Sequence, residues 1–157
     1  MTSEIGGTDM SHYQKIYETS AVNTGGRNGI SYIENSSFQV TISSPKELGG
    51  NGNGTNPEQL FALGYSACFN SALEVILGLE GIKAKSLITQ HTQLLKADGS
   101  DFKLTVEIEV AVDGKSAEEA QKLGEKAHEV CPYSKATRGN IDVTIIGVDY
   151  DASKEAM

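Results

Sequence analysis

Two cysteines, a loop arginine and a first-turn glutamate are the residues whose types and spacing could do chemistry. Cys68 and Cys131 are the only cysteines among 157 residues. Cys68 lies inside a segment, Leu60 to Leu79, whose apolar residues recur every three or four positions, so it falls in the middle of a predicted helix. Cys131 ends a second such stripe, Ala120, Leu123, Gly124, Ala127 and Val130. A free cysteine on an apolar stripe can simply act as a small hydrophobe. Cys131, however, is followed by Pro132-Tyr133-Ser134, where a helix opens into a loop and a side chain can reach solvent. If the two helices face each other, the sulfurs could come within bridging distance, with Cα atoms roughly 4.4–6.8 Å apart. Core thiols and a redox pair both fit these residues. Arg27, in Thr24-Gly25-Gly26-Arg27-Asn28-Gly29, is either a solvated arginine in a turn or a guanidinium brought close to a site by a glycine-rich loop. Glu58 is either a first-turn acid that complements the helix dipole or a carboxylate that orients an arginine through a bidentate pair.

The elements that must position these groups follow from turn and capping chemistry. Residues 12–43 read as short strands, with Thr24–Gly29 a loop and Glu34–Ser37 a turn between Ile30–Ile33 and Phe38–Ser43. Phe38, Val40 and Ile42 alternate with polar residues as in a half-buried strand. After the glycine-rich loop 48–55, Asn56 is a natural N-cap, Pro57 suits the first helical position, and Gln59 could complete a capping box. The central helix that follows, about 22 residues by its apolar spacing, ends at Gly78 or Gly81. The stripe Leu60, Phe61, Gly64, Ala67, Cys68, Ser71, Ala72, Val75, Ile76 and Leu79 is its expected inner face. Leu63, Phe69, Leu73 and Leu77 make the outer positions apolar too, so burial on most sides is expected. Leu87–Leu95 and Phe102–Val112 read as a hairpin around Asp98-Gly99. Ser116 and Glu119 cap a second helix that Pro132 stops, and Ile141 to Tyr150 is a last strand. The order β-β-β-α-β-β-α-β predicts an α+β fold with a largely antiparallel sheet.

The chain is long enough for one domain with its own core. Residues 1–11 read as an N-terminal extension, expected to be mobile, and 12–157 as a single domain; Met10 could be a natural start. A net charge of −8, from 13 Lys and Arg against 21 Asp and Glu, disfavours nucleic acid and anionic membranes as partners. No apolar run approaches the roughly 20 residues of a bilayer span, no signal peptide is evident, and the expected location is cytoplasmic. Gly49–Gly54 lacks the Lys-Ser/Thr of a P-loop, and Tyr65-Ser66-Ala67 lacks the second glycine of a nucleophile elbow. His128, Cys131 and Cys68 could supply three zinc ligands, but such scattered ligands make a thin metal signal, and no metal or bound cofactor is expected.

Three blocks resemble the organic hydroperoxide resistance (Ohr) branch of the Ohr/OsmC family. The first runs Gly49-Gly50…Gly54-Thr55-Asn56-Pro57-Glu58-Gln59-Leu60-Phe61-Ala62…Gly64-Tyr65…Ala67-Cys68-Phe69. The second is Ala127-His128-Glu129-Val130-Cys131-Pro132-Tyr133-Ser134…Ala136-Thr137-Arg138-Gly139-Asn140, and the third the Thr24–Arg27 loop. The likeness covers Tyr17 to Tyr150, with Leu63 and Ser66 where alanine is expected and Lys135 where asparagine is expected.

The resemblance implies an intertwined homodimer, largely antiparallel sheets around long central helices, working as a cysteine-based peroxidase. By position, Cys68 is the peroxidatic cysteine, Cys131 the resolving one, and Arg27 with Glu58 the ion pair that activates the thiolate. Phe61, Tyr65, Phe69 and Tyr133 would line an apolar substrate pocket. The implied reductant is the dihydrolipoyl group of a lipoylated partner protein. The rival readings are an OsmC-branch peroxidase with another peroxide preference, and a two-cysteine sensor or binding protein that does not turn over. Glu58 and Cys68 lie ten residues apart on one predicted helix, about 15 Å at ~1.5 Å per residue, so an arginine on Glu58 has difficulty reaching Cys68 of the same chain. Two such helices antiparallel across a two-fold axis would let Arg27 and Glu58 of one subunit complete the site of the other.

Overall fold

A computed structural model describes residues 10–156, and the expected mobility of residues 1–9 lies outside them. Contacts divide the chain into two compact units, up to Thr55 and from Asn56 onward.

In the first unit β1 (Ala21–Thr24), β2 (Gly29–Ile33) and β3 (Gln39–Ile42) form an antiparallel sheet in sequence order. The β1–β2 connection is glycine-dependent. Gly25 and Gly26 have φ of 84° and 59°, where side chains are disfavoured, and a Cβ on Gly25 would lie 2.7 Å from Asn28 O. Asn23 Oδ1 accepts from the Gly26 N–H at 2.9 Å, and Arg27 rides at the exposed tip. Phe38 falls just before β3 and is exposed, so the expected alternation is carried by Val40 and Ile42 alone. Thr55, the last residue of this unit, bridges in parallel to Ile42.

In the second unit α1 (Pro57–Leu79) starts as its cap residues require, with Asn56 Oδ1 accepting from Gln59 N–H at 2.8 Å. It ends where Gly81 turns left-handed (φ 68°) and Ile82 N–H returns to Leu77 O at 2.9 Å. β4 (Ser86–Lys96) and β5 (Phe102–Val112) pair antiparallel along their whole length. α2 (Ala117–Val130) carries the complete Ser116–Glu119 capping box. α3 (Pro132–Thr137) follows, and β6 (Val143–Gly147) pairs parallel with β5. The sheet order is β4-β5-β6. Tyr65, Phe69, Leu73 and Leu77 of α1, Val106, Ile108 and Val110 of β5, and Ala120, Leu123 and Ala127 of α2 share one core.

Four expectations change. The inner face of α1 is Tyr65, Phe69, Ala72, Leu73 and Leu77, so residues assigned outward point in, while Val75 and Leu79 of the assigned stripe are exposed together with Leu63. A helix apolar all round gives no direction, and the sheet chooses the side. Burial on most sides is therefore not reached within one chain. Pro132 stops α2, as expected, and also starts α3, since its fixed φ suits a first helical turn. The last strand is shorter than Ile141–Tyr150 and runs parallel. Finally, α1 is long and apolar enough to match a bilayer span by length and composition, with mean hydropathy 1.5, contrary to the expectation that no segment comes close. Glu58, Asn70 and Glu74 interrupt it, and Asn70 Oδ1 accepts from Ser86 Oγ at 2.6 Å where β4 begins.

α2 lies almost in contact with the β6 backbone. A Cβ on Gly147 would come within 1.9 Å of Ala117 O and 2.5 Å of Gln121 N. Gln121 seals this edge, its Nε2 donating to Ile145 O at 2.7 Å and its Oε1 accepting from Gly147 N–H at 2.5 Å. Gly147→Ala is expected to cost about 3 kcal/mol, because the obstacle is backbone rather than a movable side chain. Urea unfolding measures it, and a midpoint equal to wild type would mean that α2 can lift off at no cost.

Candidate active site

The two cysteines meet where α1 passes the α2–α3 junction. Cys131 is the single extended residue between those helices (φ −60°, ψ 125°), because a residue ahead of proline avoids the helical region. Its Sγ, fully buried, lies 3.8 Å from Cys68 Sγ, and both are free thiols. Cys68 is partly exposed in a cleft of about 390 Å³ formed by Ser71, Ala72, Val75, Val130 and Pro132. Apolar walls suit a substrate with a hydrocarbon body.

Burial pushes the Cys68 thiol above its ordinary pKa, the backbone N–H of Tyr133 pulls it back, and the neighbouring Cys131 thiol raises it again. A reactive thiolate there needs further positive charge. Burial also lowers the pKa of His128, helped by the Arg138 charge and opposed by Glu129, so the imidazole stays neutral near pH 7. Arg138 Nη2 donates to His128 O at 2.6 Å.

Arg27 stands on the β1–β2 loop of the first unit, and Glu58 is the second residue of α1 in the second. Phe61, Tyr65 and Tyr133 form a ring cluster with centroids 5.5–6.5 Å apart, in which a Cβ on Gly64 would lie 3.0 Å from Tyr133 Oη. Tyr65 and Phe69 are fully buried in the core, and only Phe61 and Tyr133 of the four aromatic candidates retain solvent exposure. His91 pairs with Glu109 at 2.9 Å on the sheet surface. Among the described residues no group of three His, Cys, Asp or Glu side chains could hold a metal ion. Sequence reasoning missed the polar cluster on the segments that carry the two cysteines, Ser134, Thr137, His128 and the Tyr65 hydroxyl, because isolated hydroxyl residues carry no periodic signal.

A partly exposed thiol in an apolar cleft, touching a buried second thiol across two helices of an α+β unit, defines a two-cysteine thiol protein. The OsmC-like protein family profile matches residues 50–146. An organic hydroperoxide resistance protein-like 2 of Staphylococcus epidermidis is 49% identical over 133 residues, covering 83% of this chain and 94% of its own. The organic hydroperoxide resistance protein of Xanthomonas axonopodis pv. citri is 42% identical over 132 residues, covering 83% and 93%. The crystal structure of an organic hydroperoxide resistance protein from Legionella pneumophila superposes with a TM-score of 0.80 at 40% identity, over 88% of this chain and all of that one. The chain belongs to the OsmC/Ohr family.

Proposed function

We propose that the chain is a thiol-dependent peroxidase that reduces organic hydroperoxides, alkyl or fatty-acid, to alcohols in the response to oxidative stress. The observation that carries this reading is the contact of two free thiols at 3.8 Å, the more accessible one opening onto an apolar cleft. The Cys68 thiolate attacks the terminal oxygen of R–O–OH, the O–O bond breaks, and the alkoxide leaves as alcohol once protonated. Cys68 becomes a sulfenic acid. The Cys131 sulfur then displaces its hydroxyl, giving a Cys68–Cys131 disulfide and water.

Positive charge for the thiolate comes from Arg27, oriented by Glu58, and the working unit is a homodimer in which this pair serves the partner's Cys68. The exposed Leu63, Val75 and Leu79 of α1 support such an association, since these large apolar side chains are otherwise left in water. A dihydrolipoyl group on a partner protein returns the disulfide to two thiols, and a reducing cytoplasm is where such a cycle runs.

One equivalent of an alkyl hydroperoxide is expected to convert both thiols of each subunit into one intrachain disulfide. Mass spectrometry after alkylation of free thiols reads this directly, and two alkylated cysteines after treatment would end the proposal.

A further inference from the structure

Ser134 is fully buried, with its Oγ 2.8 Å from Tyr65 Oη and 2.8 Å from His128 Nδ1. Tyr65 Oη also lies 3.3 Å from Thr137 Oγ1, and the Thr137 hydroxyl donates to the Ser134 carbonyl at 3.1 Å. Counting hydrogens gives this chain one direction. A carbonyl only accepts, so the Thr137 hydrogen is committed and its oxygen accepts from Tyr65. The Tyr65 hydrogen is then committed as well, so Ser134 donates to Tyr65 and accepts from an N–H at His128 Nδ1. Since His128 keeps a hydrogen on Nδ1 whether Nε2 is protonated or not, the chain of bonds survives a change in its charge.

The placement of these bonds relates them to the sulfurs. Tyr65 precedes Cys68 by three residues, one turn of α1, and Ser134 follows Cys131 by three. The Tyr65–Ser134 bond therefore joins the same two segments as the sulfur contact, about one helical turn away. Tyr133, whose N–H reaches the Cys68 sulfur, lies next to Ser134. Closing a disulfide brings the sulfurs from 3.8 Å to about 2.05 Å, a movement that depends on how firmly the α2–α3 junction is held against α1.

We propose that Ser134 is a positioning residue that acts through Tyr65 to hold the two sulfurs at closing distance, and so sets how readily the Cys68–Cys131 disulfide forms. With hydroperoxide as oxidant this rests on the function proposed above; the closure itself can be driven by another oxidant. Oxidised glutathione takes two electrons from the thiol pair, so that the S–S bond forms in the protein, that of glutathione breaks, and two molecules of reduced glutathione leave.

The test equilibrates purified wild type, Ser134→Ala, Tyr65→Phe and the double variant with glutathione redox buffers, and quantifies the intrachain disulfide by mass spectrometry. Tyr65→Phe keeps the ring and removes only the hydroxyl, so it serves if Ser134→Ala fails to fold. Each single variant is expected to lower the equilibrium constant for closure about tenfold, the scale of the one Tyr65–Ser134 hydrogen bond that both substitutions remove. The double variant should match the singles, because the residues act through one bond. Folded variants that close like wild type, or losses that multiply in the double variant, overturn the proposal. The same proteins are then given an alkyl hydroperoxide. A glutathione defect with no hydroperoxide reaction in wild type removes the peroxidase and leaves the positioning role; hydroperoxide reaction with no glutathione defect does the reverse.

Discussion

Cys68→Ser is expected to abolish hydroperoxide turnover, whereas Cys131→Ser should consume one equivalent and stop at a sulfenic acid. The asymmetry follows from exposure. Cys68 opens onto the apolar cleft while Cys131 is completely enclosed, so only the first sulfur can meet an incoming O–O bond. Without Cys68 nothing accessible attacks, and the rate falls to that of the uncatalysed reaction. Without Cys131 the first attack is intact but the sulfenic acid has no thiol at 3.8 Å with which to condense. Trapping with a dimedone probe should label Cys131→Ser stoichiometrically and wild type barely. Equal single-turnover consumption by wild type and Cys68→Ser would show that another residue attacks.

Arg27→Ala should slow oxidation about a hundredfold at neutral pH, the loss expected when a neighbouring cation worth about two pKa units is withdrawn. The sign follows from the thiol chemistry. Burial and the Cys131 thiol already hold Cys68 on the high side, and the thiolate is the reactive form. Removing a cation raises the pKa further, so the pH profile of Cys68 alkylation should move to higher pH and rejoin the wild-type curve once both proteins are ionised. Arg27→Lys should recover only part, because an ammonium cannot make a forked pair with Glu58. An unchanged alkylation profile in Arg27→Ala removes Arg27 from the mechanism. The same variants test the dimer arrangement. If Arg27 serves the partner's Cys68, the slowed Arg27→Ala mixed equally with inactive Cys68→Ser forms heterodimers with one intact site each, restoring roughly a quarter of wild-type activity after random exchange. No recovery after demonstrated exchange would place each site within one chain.

Much of the fold could be read from local chemistry. Asn56-Pro57, the Ser116–Glu119 box and Asp98-Gly99 act within a few residues of themselves, and each forms the cap or turn its side chains dictate. The direction in which α1 faces could not be read, because Leu63 and Phe69 are equally apolar and only the sheet makes Phe69 core and Leu63 surface. α3 escaped for a different reason, since the proline that ends one helix is also a suitable first residue of the next. At the site, the two apolar stripes pointed to helices that meet, and the sulfurs lie in contact. The hydroxyl chain through Ser134 and Tyr65 was illegible, because it depends on residues 69 positions apart that only the fold brings together.

The sulfurs in contact are 63 positions apart along the chain. A bond between them would close a loop of that size, and the entropy removed from the unfolded ensemble is about 4 kcal/mol in the chain-entropy model. The disulfide form of the protein should then resist unfolding by that margin over the dithiol form, so thermal robustness would rise and fall within every catalytic cycle. A thermodynamic box makes the two readings one. The free energy by which the bond strengthens the fold is the free energy by which the fold favours the bond, about a thousandfold in the oxidation equilibrium. The native fold would then itself be an oxidising influence on its own cysteines, and a reductant would have to overcome the fold as well as the bond.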